Sequence, residues 1–552
     1  MKTTTMVWLT LALGLAAGRA AGQTAGAIEA AQPPAPAPSL ALTLDEAVRR
    51  AVDHNPDLAV VRLDTEVQAA QVGQSRTAYT PVFSSTFARS SNVTPPISSL
   101  LGSSGVDTRD WFSTAGVRQH VPWGNGTWSV SWDASRTTGN SPLNSFDPSL
   151  QSGLEFAFSQ PLIRDRKMDV ARQQYLIAKR NEASSELQFR ETVVGTVAAV
   201  KQAYWTLKAL RANVTVQERS LQLAEQLATE NGVRVRIGQA PPIDLVQVDA
   251  EVADRRENLI RARAAADDGE DRLRRLIIDP AEPSFWQVRL ETADEPAGRI
   301  LLPDVEALVA TAMADRSDVA RARNAVSNAA TNVEYYANQR LPDVRVEASY
   351  RGSGLGGAQL LRTGAFPGVV TGTLNSGFGG VLGQTFGPDY PTWSLGVTIS
   401  HPVGQSFERV REVQAQVERR QAAARVASVQ LDVAASIRQA ARQVRSNAER
   451  EDAARAGATL ARQRLDAEQR RYGVGLSTSF LVTQAQRDLL QAEVNLLQAT
   501  LDYQSSVVNL EALQLAPALS PGGPVIIDGS AVQPVPTPTP RGVFRAGGGV
   551  QP

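Results

Sequence analysis

No cysteine occurs among the 552 residues, which excludes disulfides, thiolate nucleophiles, cysteine metal sites and a lipid-acceptor thiol near the N-terminus. Histidine is nearly as scarce: His54, His120 and His401 stand alone, without a second ligand at metal spacing. There is no G-x-S-x-G, no P-loop and no H-E-x-x-H, so nothing points to a catalytic residue, a metal or a cofactor. An excess of one charge is also missing. With 56 basic and 56 acidic residues, no net field draws the protein to nucleic acid or anionic surfaces. The apolar run at residues 7–17 is too short to span a bilayer, and no later stretch reaches about 20 apolar residues. With Lys2 ahead of it and Ala20, Ala21 and Gly22 behind, it reads as a cleavable secretory signal over residues 1–22. Export without an apolar helix leaves two outcomes, a soluble periplasmic protein or one inserted as a β-barrel.

What the chain has in abundance is helix. From residue 164 to about 230 a helical pattern extends for roughly 100 Å at about 1.5 Å per residue. Val193, Val200, Leu207, Val214, Leu221 and Ala228 recur every seventh residue, with Val197 and Tyr204 in the second heptad position. That spacing makes a coiled-coil seam. The segment GQAPPID, residues 238–244, breaks it. Pro241 and Pro242 cannot continue a helix interior, but they can open a new one, whose first turn has no partners for its amide donors. A return helix to residue 279 completes a hairpin with a defined tip.

The hairpin belongs to a repeated programme. Residues 23–41 are a proline- and alanine-rich linker. The first repeat, 42–279, opens with a helix to about residue 79, with Thr43 as N-cap and Glu46 as its capping-box partner. Strand patterns follow at 82–91, 112–121, 127–137 and 153–161. Trp128, Val130, Trp132 and Ala134, like Leu154, Phe156 and Phe158, alternate with Ser129, Ser131, Asp133, Glu155 and Ser159, giving one apolar and one polar face. A connector, 280–302, carries one short strand near 286–290. The second repeat, 303–516, has a helix over 303–340, strands over 344–350 and 395–399 separated by a glycine-rich loop at 352–391, a long helix over 406–471, a break at GVGLST and a return helix over 479–515. Residues 517–552, rich in proline and glycine, have the composition of a disordered tail. Leu44, Asp57 and Pro81 fall on Val305, Asp318 and Pro342 at one offset, and Gly238 falls on Gly475 at another, so the two halves are structurally equivalent. In each half the first and return helices together nearly match the long helix, and stacking them end to end beside it makes a wall of even height.

Strands that are greasy on one face and wet on the other fit a membrane barrel with lipid outside and water inside. A soluble β-sandwich alternates in the same way and remains the alternative. The signal sequence and the long helices favour the barrel. Trp111, Trp123, Trp128, Trp132 and Trp393 lie in or beside the strands, as interfacial aromatic belts do. Four to six strands cannot close a barrel alone, and open edges do not exist in lipid, so several copies share one barrel. RGSGLGG, from Arg351, contains a literal G-x-G-x-x-G, but without the following helix and distal acid of a dinucleotide site it reads as a flexible extracellular loop.

LDEAVRRAVDHNPDL from Leu44, the strand exits FSQPLI and ISHPVG, and RYGVGLSTSF from Arg471 with its downstream AQRDLLQAEVNLLQA resemble the TolC-like outer-membrane efflux proteins over about residues 42–515. The resemblance implies an α+β membrane protein of two structural repeats. It implies a homotrimer whose β-barrel, four strands per protomer, sits in the outer membrane of a Gram-negative-type cell and continues into a long periplasmic α-helical barrel. It further implies a passive exit duct for efflux or type I secretion, docked to a periplasmic adaptor (membrane fusion) protein and an inner-membrane pump. On this sequence the adaptor-docking tips are Gly238, Val474, Gly475, Leu476 and Ser477, and the aperture-gating residues are Asp244 and Tyr472. Where relatives commonly carry acids the chain has Leu481 and Gln484, which implies weaker cation preference at the aperture. The first half offers two strands more than the family pattern, and the extra hairpin around PWGNG either extends the barrel or lies against its rim. Read from the residues alone, Gly238 and Gly475 are also helix-ending glycines, and Asp244 a dipole-compensating acid. A trimeric structural or adhesive stalk without transport is the competing class of function.

Overall fold

The computed structural model describes residues 39–95, 105–279, 281, 283–296, 298, 304–365, 368–404 and 406–516. The expected signal sequence (1–22), the linker up to residue 38, part of the connector and the tail (517–552) lie outside the described residues. The first half holds β1 (Ser39–Leu42), α1 (Leu44–His54), α2 (Pro56–Arg76), β2 (Val82–Thr94), β3 (Val106–His120), β4 (Thr127–Gly139), β5 (Phe146–Pro161) and the hairpin α3 (Val170–Arg236) and α4 (Pro242–Ile277). The connector strand β6 (Arg289–Thr292) leads to α5 (Val305–Asp315), α6 (Ser317–Gln339), β7 (Asp343–Thr363), β8 (Val369–Ser376), α7 (Phe378–Phe386), β9 (Pro391–Ser400) and the hairpin α8 (Phe407–Gly473) and α9 (Ser479–Leu515). The expected linker reaches into β1, which pairs in parallel with β6.

The two halves match in the order and length of their helices. α1 and α5 each have 11 residues, α3 and α8 each have 67, and α4 and α9 have 36 and 37. Each half also breaks the first helix that the sequence pattern reads as continuous. Pro56 excludes Asn55 from helical geometry, and Asn55 caps α2 by accepting from the amides of Asp57 (2.9 Å) and Leu58 (3.3 Å). The NH2 of its side-chain carboxamide donates to the Leu276 carbonyl at the end of α4 (3.1 Å). Arg316 takes the same place in the second half, clamped to Asp318 and donating to the Leu513 carbonyl near the end of α9 (3.0 Å). Each joint thus satisfies an orphan carbonyl of the return helix. It seats α2 on the end of α4, and α6 on the end of α9, beside α3 and α8 respectively. The expected stacking is present, with α2 and α4 (21 and 36 residues) beside α3 (67) and α6 and α9 (23 and 37) beside α8 (67), so each stacked pair falls short of its long helix once α1 and α5 are broken off. The staves run in the order α2/α4, α3, α6/α9, α8.

Along α3 the expected seam is buried at Val200, Tyr204 and Leu207, but Val193, Val214, Leu221 and Ala228 are only half-buried. Toward the tip the buried face passes to Gln217, Ser220, Ala224, Leu227 and Asn231, so the seam turns polar. Tyr204 ties the middle of the wall to the connector: its hydroxyl lies 3.0 Å from both the Leu42 carbonyl and the Asp294 carboxylate, and accepts from the Asp294 amide. Burial pushes this phenol up to about 12.

Above the helices β2, β3, β4, β5 and β7 form an antiparallel sheet, and the far edge of β7 is shared between β8 at its upper end and β9 at its lower end. Seven strands therefore fill six positions, where four strands were expected. Two of the added strands are the β3–β4 hairpin, which extends the sheet in full register between β2 and β5 instead of lying against a rim, and the third is β8. Its PWGNG turn closes through Gly124 and Asn125, both at positive φ. One row runs Phe83, Val117, Val130, Phe156, Tyr350, Trp393 across all six positions. On the opposite face a row runs Arg118, Ser129, Ala157, Ser349, Ser394, and Arg351 crosses Gly153 to pair with Asp133 (2.7 Å) and Glu155 (3.3 Å). Every residue of the two outermost strands, β2 and β9, is exposed.

The segment 352–391 is not the expected loop. It forms the upper half of β7, then β8 and α7. Gly352, Gly354 and Gly356 share one face of β7, and α7 lies directly on them. A Cβ at Gly352 would stand 2.2 Å from the Thr385 carbonyl oxygen, and one at Gly354 would stand 2.1 Å from that of Val381. The G-x-G-x-x-G is a seat for a helix. Gly354→Leu is expected to overpack this contact at a cost of about 2 kcal/mol. Hydrogen exchange should show amides 378–386 losing protection while β2 to β5 keep theirs.

Candidate functional site: the paired helical tips

Both hairpins end in the same chemistry. In the first, Gly238 sits at φ +79°, its amide donates to the Val235 carbonyl (3.1 Å), and the Gln239 amide donates to that of Arg234 (2.8 Å). In the second, Gly475 sits at φ +79°, with the matching bonds from Gly475 to Tyr472 (3.1 Å) and from Leu476 to Arg471 (2.8 Å). These are paired Schellman caps, and the left-handed position is where glycine is required. The return helices then start differently. Thr478 caps α9 through the Leu481 amide (3.4 Å), whereas α4 starts on Pro241 and Pro242 with no side-chain cap.

The caps hold an apolar surface in water. Val474 is 73% and Leu476 79% exposed, and Phe480 and Leu481 extend the patch. Ile237, Ile243 and Val246 do the same at the first tip. Ser477 is turned inward, its hydroxyl bonded to Glu468. The predicted tip residues Gly238, Val474, Gly475 and Leu476 therefore lie on the exposed surface, with Ser477 behind it. Sequence reasoning passed over Ile237, Ile243, Val246 and Phe480. Their signal was the isolated apolar side chains flanking each break.

Just behind the tips the two hairpins are latched together. Tyr472, 5% exposed, donates to Asn231 on α3 (2.5 Å). Arg234 lies 4.0 Å over the Tyr472 ring and donates to its carbonyl (3.1 Å). Burial pushes the Tyr472 phenol up. Arg234 opposes that rise, and Glu230 and Asp244 add to it. Leu227, Val248, Leu465, Val482, Ala485 and Leu489 pack around this point from all four helices. Further back, buried Glu251 on α4 pairs with Arg255 (2.7 Å) and with Arg487 on α9 (3.0 Å). Burial pushes the Glu251 carboxyl up, but Arg487 and Arg255 outweigh it and hold the group below the usual carboxylate range. Asp244 is half-buried and makes no side-chain hydrogen bond or ion pair among the described residues, so it joins Tyr472 only through its charge. Gln484 bonds Asp488 (2.8 Å), which also pairs with Arg464.

The outer membrane efflux protein family matches residues 118–277 and 308–514, about two thirds of the chain. The chain belongs to that family. This confirms the TolC-like resemblance read from the strand exits and the second tip. In fold the efflux protein is similar to the CmeC outer membrane channel of Campylobacter jejuni, at 15% identity and TM-score 0.62, with 86% of this chain and 85% of that one covered. It is likewise similar to the outer membrane protein VceC of Vibrio cholerae, at 15% identity and TM-score 0.60, with 86% and 97% covered. The open state of the MtrE outer membrane channel of Neisseria gonorrhoeae is similar at 17% identity and TM-score 0.57, with 86% and 89% covered. No curated protein sequence matches the efflux protein. Among the described residues no cluster of His, Asp and Glu is arranged to hold a metal ion.

Because the folded pKa of Glu251 lies below its unfolded value, the stability it contributes is complete above the unfolded range of about 4.3 and is lost as pH falls through the folded value. Glu251→Gln leaves two arginines uncompensated and is expected to cost about 3 kcal/mol at neutral pH. It should also remove the acid-side loss. Hydrogen exchange of residues 245–255 and 482–490, followed from neutral pH into acid, reads both effects.

Proposed function

We propose that the chain is the outer-membrane duct of a tripartite efflux or type I secretion system. Its sheet lies in the outer membrane and its helical wall stands in the periplasm. The observation that carries this reading is a single sheet with one apolar face, one polar face and two open edges, continued by a wall of helices. An apolar row spanning six strand positions fits lipid, and the polar face fits a water-filled lumen. The edges β2 and β9 run in opposite directions, so β2 of one copy can pair antiparallel with β9 of the next. Each edge continues into a helix with an exposed apolar stripe: Val60, Leu63 and Val67 on α2, and Phe407, Val410, Val413 and Val417 on α8. Three copies of six strand positions close an eighteen-position barrel over a ring of hairpins.

The tips then take two roles. The exposed Val474, Gly475 and Leu476, with Gly238 at the first tip, offer a periplasmic adaptor an apolar surface on rigid caps, which Ser477 braces from within. The latch of Tyr472, Asn231 and Arg234, backed by Glu251 and Arg487, fixes one hairpin against the other, and opening by untwisting one hairpin must break it. Asp244, next to the latch but not bonded within it, is free to face the lumen or a neighbouring copy. Leu481 and Gln484 leave that constriction without the acids of its relatives.

Two outcomes test this. In planar bilayers the protein should conduct, and Tyr472→Phe with Asn231→Leu should raise its open probability at least several-fold; silence of both proteins would contradict a duct and favour a sealed stalk. Val474→Asp with Leu476→Asp should weaken capture of the cognate adaptor more than tenfold while leaving conductance unchanged, and undiminished capture would remove the tips from docking.

A further inference from the structure

α7 is the one helix of the described residues that lies on the sheet. It interrupts a strand position: β8 ends opposite Gly357 and β9 begins opposite Gly352. The exposed β7 amides between them are met from outside the ladder, Ser353 by the Tyr390 carbonyl (3.4 Å) and Leu355 by the Gln384 side chain (2.9 Å). The glycines that seat α7 belong to the apolar face, in the same rows as Trp132 and Leu154, Ala134 and Ser152, Arg136 and Leu150. The Thr385 hydroxyl donates to the Val381 carbonyl (2.8 Å) and lies 3.3 Å from the Ser152 carbonyl, and the Trp132 indole donates to the Ser152 hydroxyl (2.9 Å), so the small polar spot on this face is covered.

The composition of α7 is wrong for water. FGGVLGQTF has three glycines in nine residues, no charge and no side-chain N-cap, and each interior glycine costs about 1 kcal/mol of helix stability. Its outward side presents Phe378 and Phe386, the latter 67% exposed. In hydrocarbon the same segment is stable, because a helix satisfies its own backbone where nothing else does. Between Phe378 and the tilted ring pair of Phe87 and Trp111 lies an almost wholly apolar groove of about 260 Å³. Its upper end is a row of Arg89, Trp111 and Arg136. Arg89 lies 4.9 Å over the Trp111 ring, and neither arginine has a carboxylate partner among the described residues.

The geometry points to a lipid site: α7 lies in the outer leaflet, at the boundary of hydrocarbon and headgroups, and its groove takes an acyl chain of an anionic, phosphate-bearing lipid whose headgroup meets Arg89 and Arg136. This rests on the reading that places the apolar face in the membrane. Tryptophan and arginine at one level above an apolar slot match that boundary, where the ring is half wet and the guanidinium reaches phosphate.

The cysteine-free chain allows a direct test. Nitroxides at Phe386→Cys, Leu395→Cys on the apolar face and Ser394→Cys on the polar face are compared in phosphatidylcholine vesicles for relaxation by oxygen and by a water-soluble nickel complex. Labels at 386 and 395 should favour oxygen several-fold, and the label at 394 should favour nickel. Nickel access at 386 with 395 still in lipid overturns the lipid site alone, whereas nickel access at 395 overturns the membrane reading beneath it. Spin-labelled phosphatidylglycerol should be held at the protein in preference to spin-labelled phosphatidylcholine, and Arg89→Gln with Arg136→Gln should reduce that preference at least twofold. An unchanged preference overturns the role of the arginines.

Discussion

Among the described residues two edges of unpaired peptide groups, β2 on one side and β9 with β8 above it on the other, set the terms for the rest of the molecule. A backbone donor or acceptor without a partner is costly anywhere away from water and does not persist in hydrocarbon. One chain cannot join these rows to each other, because a six-position sheet is too narrow to curl shut around a lumen. Copies placed side by side can, and the helices are arranged for it. α2 leads into β2 through a short turn at 77–81, and α8 follows β9, so in the proposed assembly a contact that closes the sheet also brings together the stripes from Val60 to Val67 and from Phe407 to Val417 on the outermost staves.

The doubled architecture serves the same end. In the proposed ring of copies the two halves stand side by side, and the chain supplies them with long helices of equal length and with joints that differ in chemistry but not in position. Asn55 uses a carboxamide behind a proline, and Arg316 uses a guanidinium clamped to Asp318, yet each donates to the equivalent carbonyl of its return helix. The tips repeat the pattern down to the same backbone angle at Gly238 and Gly475. Where the halves diverge, the divergence has consequences: only the first carries the inserted β3–β4 hairpin, and only the second carries α7.

Much of this was legible in the residues. The proline pair at the tip, the register between halves and the alternation of Trp128 to Ala134 each report a pattern that survives folding, whereas the heptad seam holds only from Val200 to Leu207 before the buried face shifts. The breaks at Asn55 and Arg316 are harder to read. Pro56 marks the first, but nothing local distinguishes Arg316, whose bend depends on a carbonyl nearly two hundred residues away. The glycines of 352–356 misled for a similar reason. Alternate glycines on a strand record the close approach of another backbone, and their sequence does not say whether that backbone is a helix or a loop. At the tips the break and its glycines were readable, while the partners of Tyr472 were not, since Asn231 and Arg234 lie on the other hairpin and reach it only through the assembled four-helix core.

A sheet with these edges serves as a membrane wall only if copies of the chain close each other's edges. Native mass spectrometry of the protein released from detergent micelles measures this directly. A particle of three chains, each near the 59.1 kDa of the full sequence or slightly less after signal removal, is the predicted result. A stable single chain, with β2 and β9 still unpaired and the sheet still folded, would contradict it.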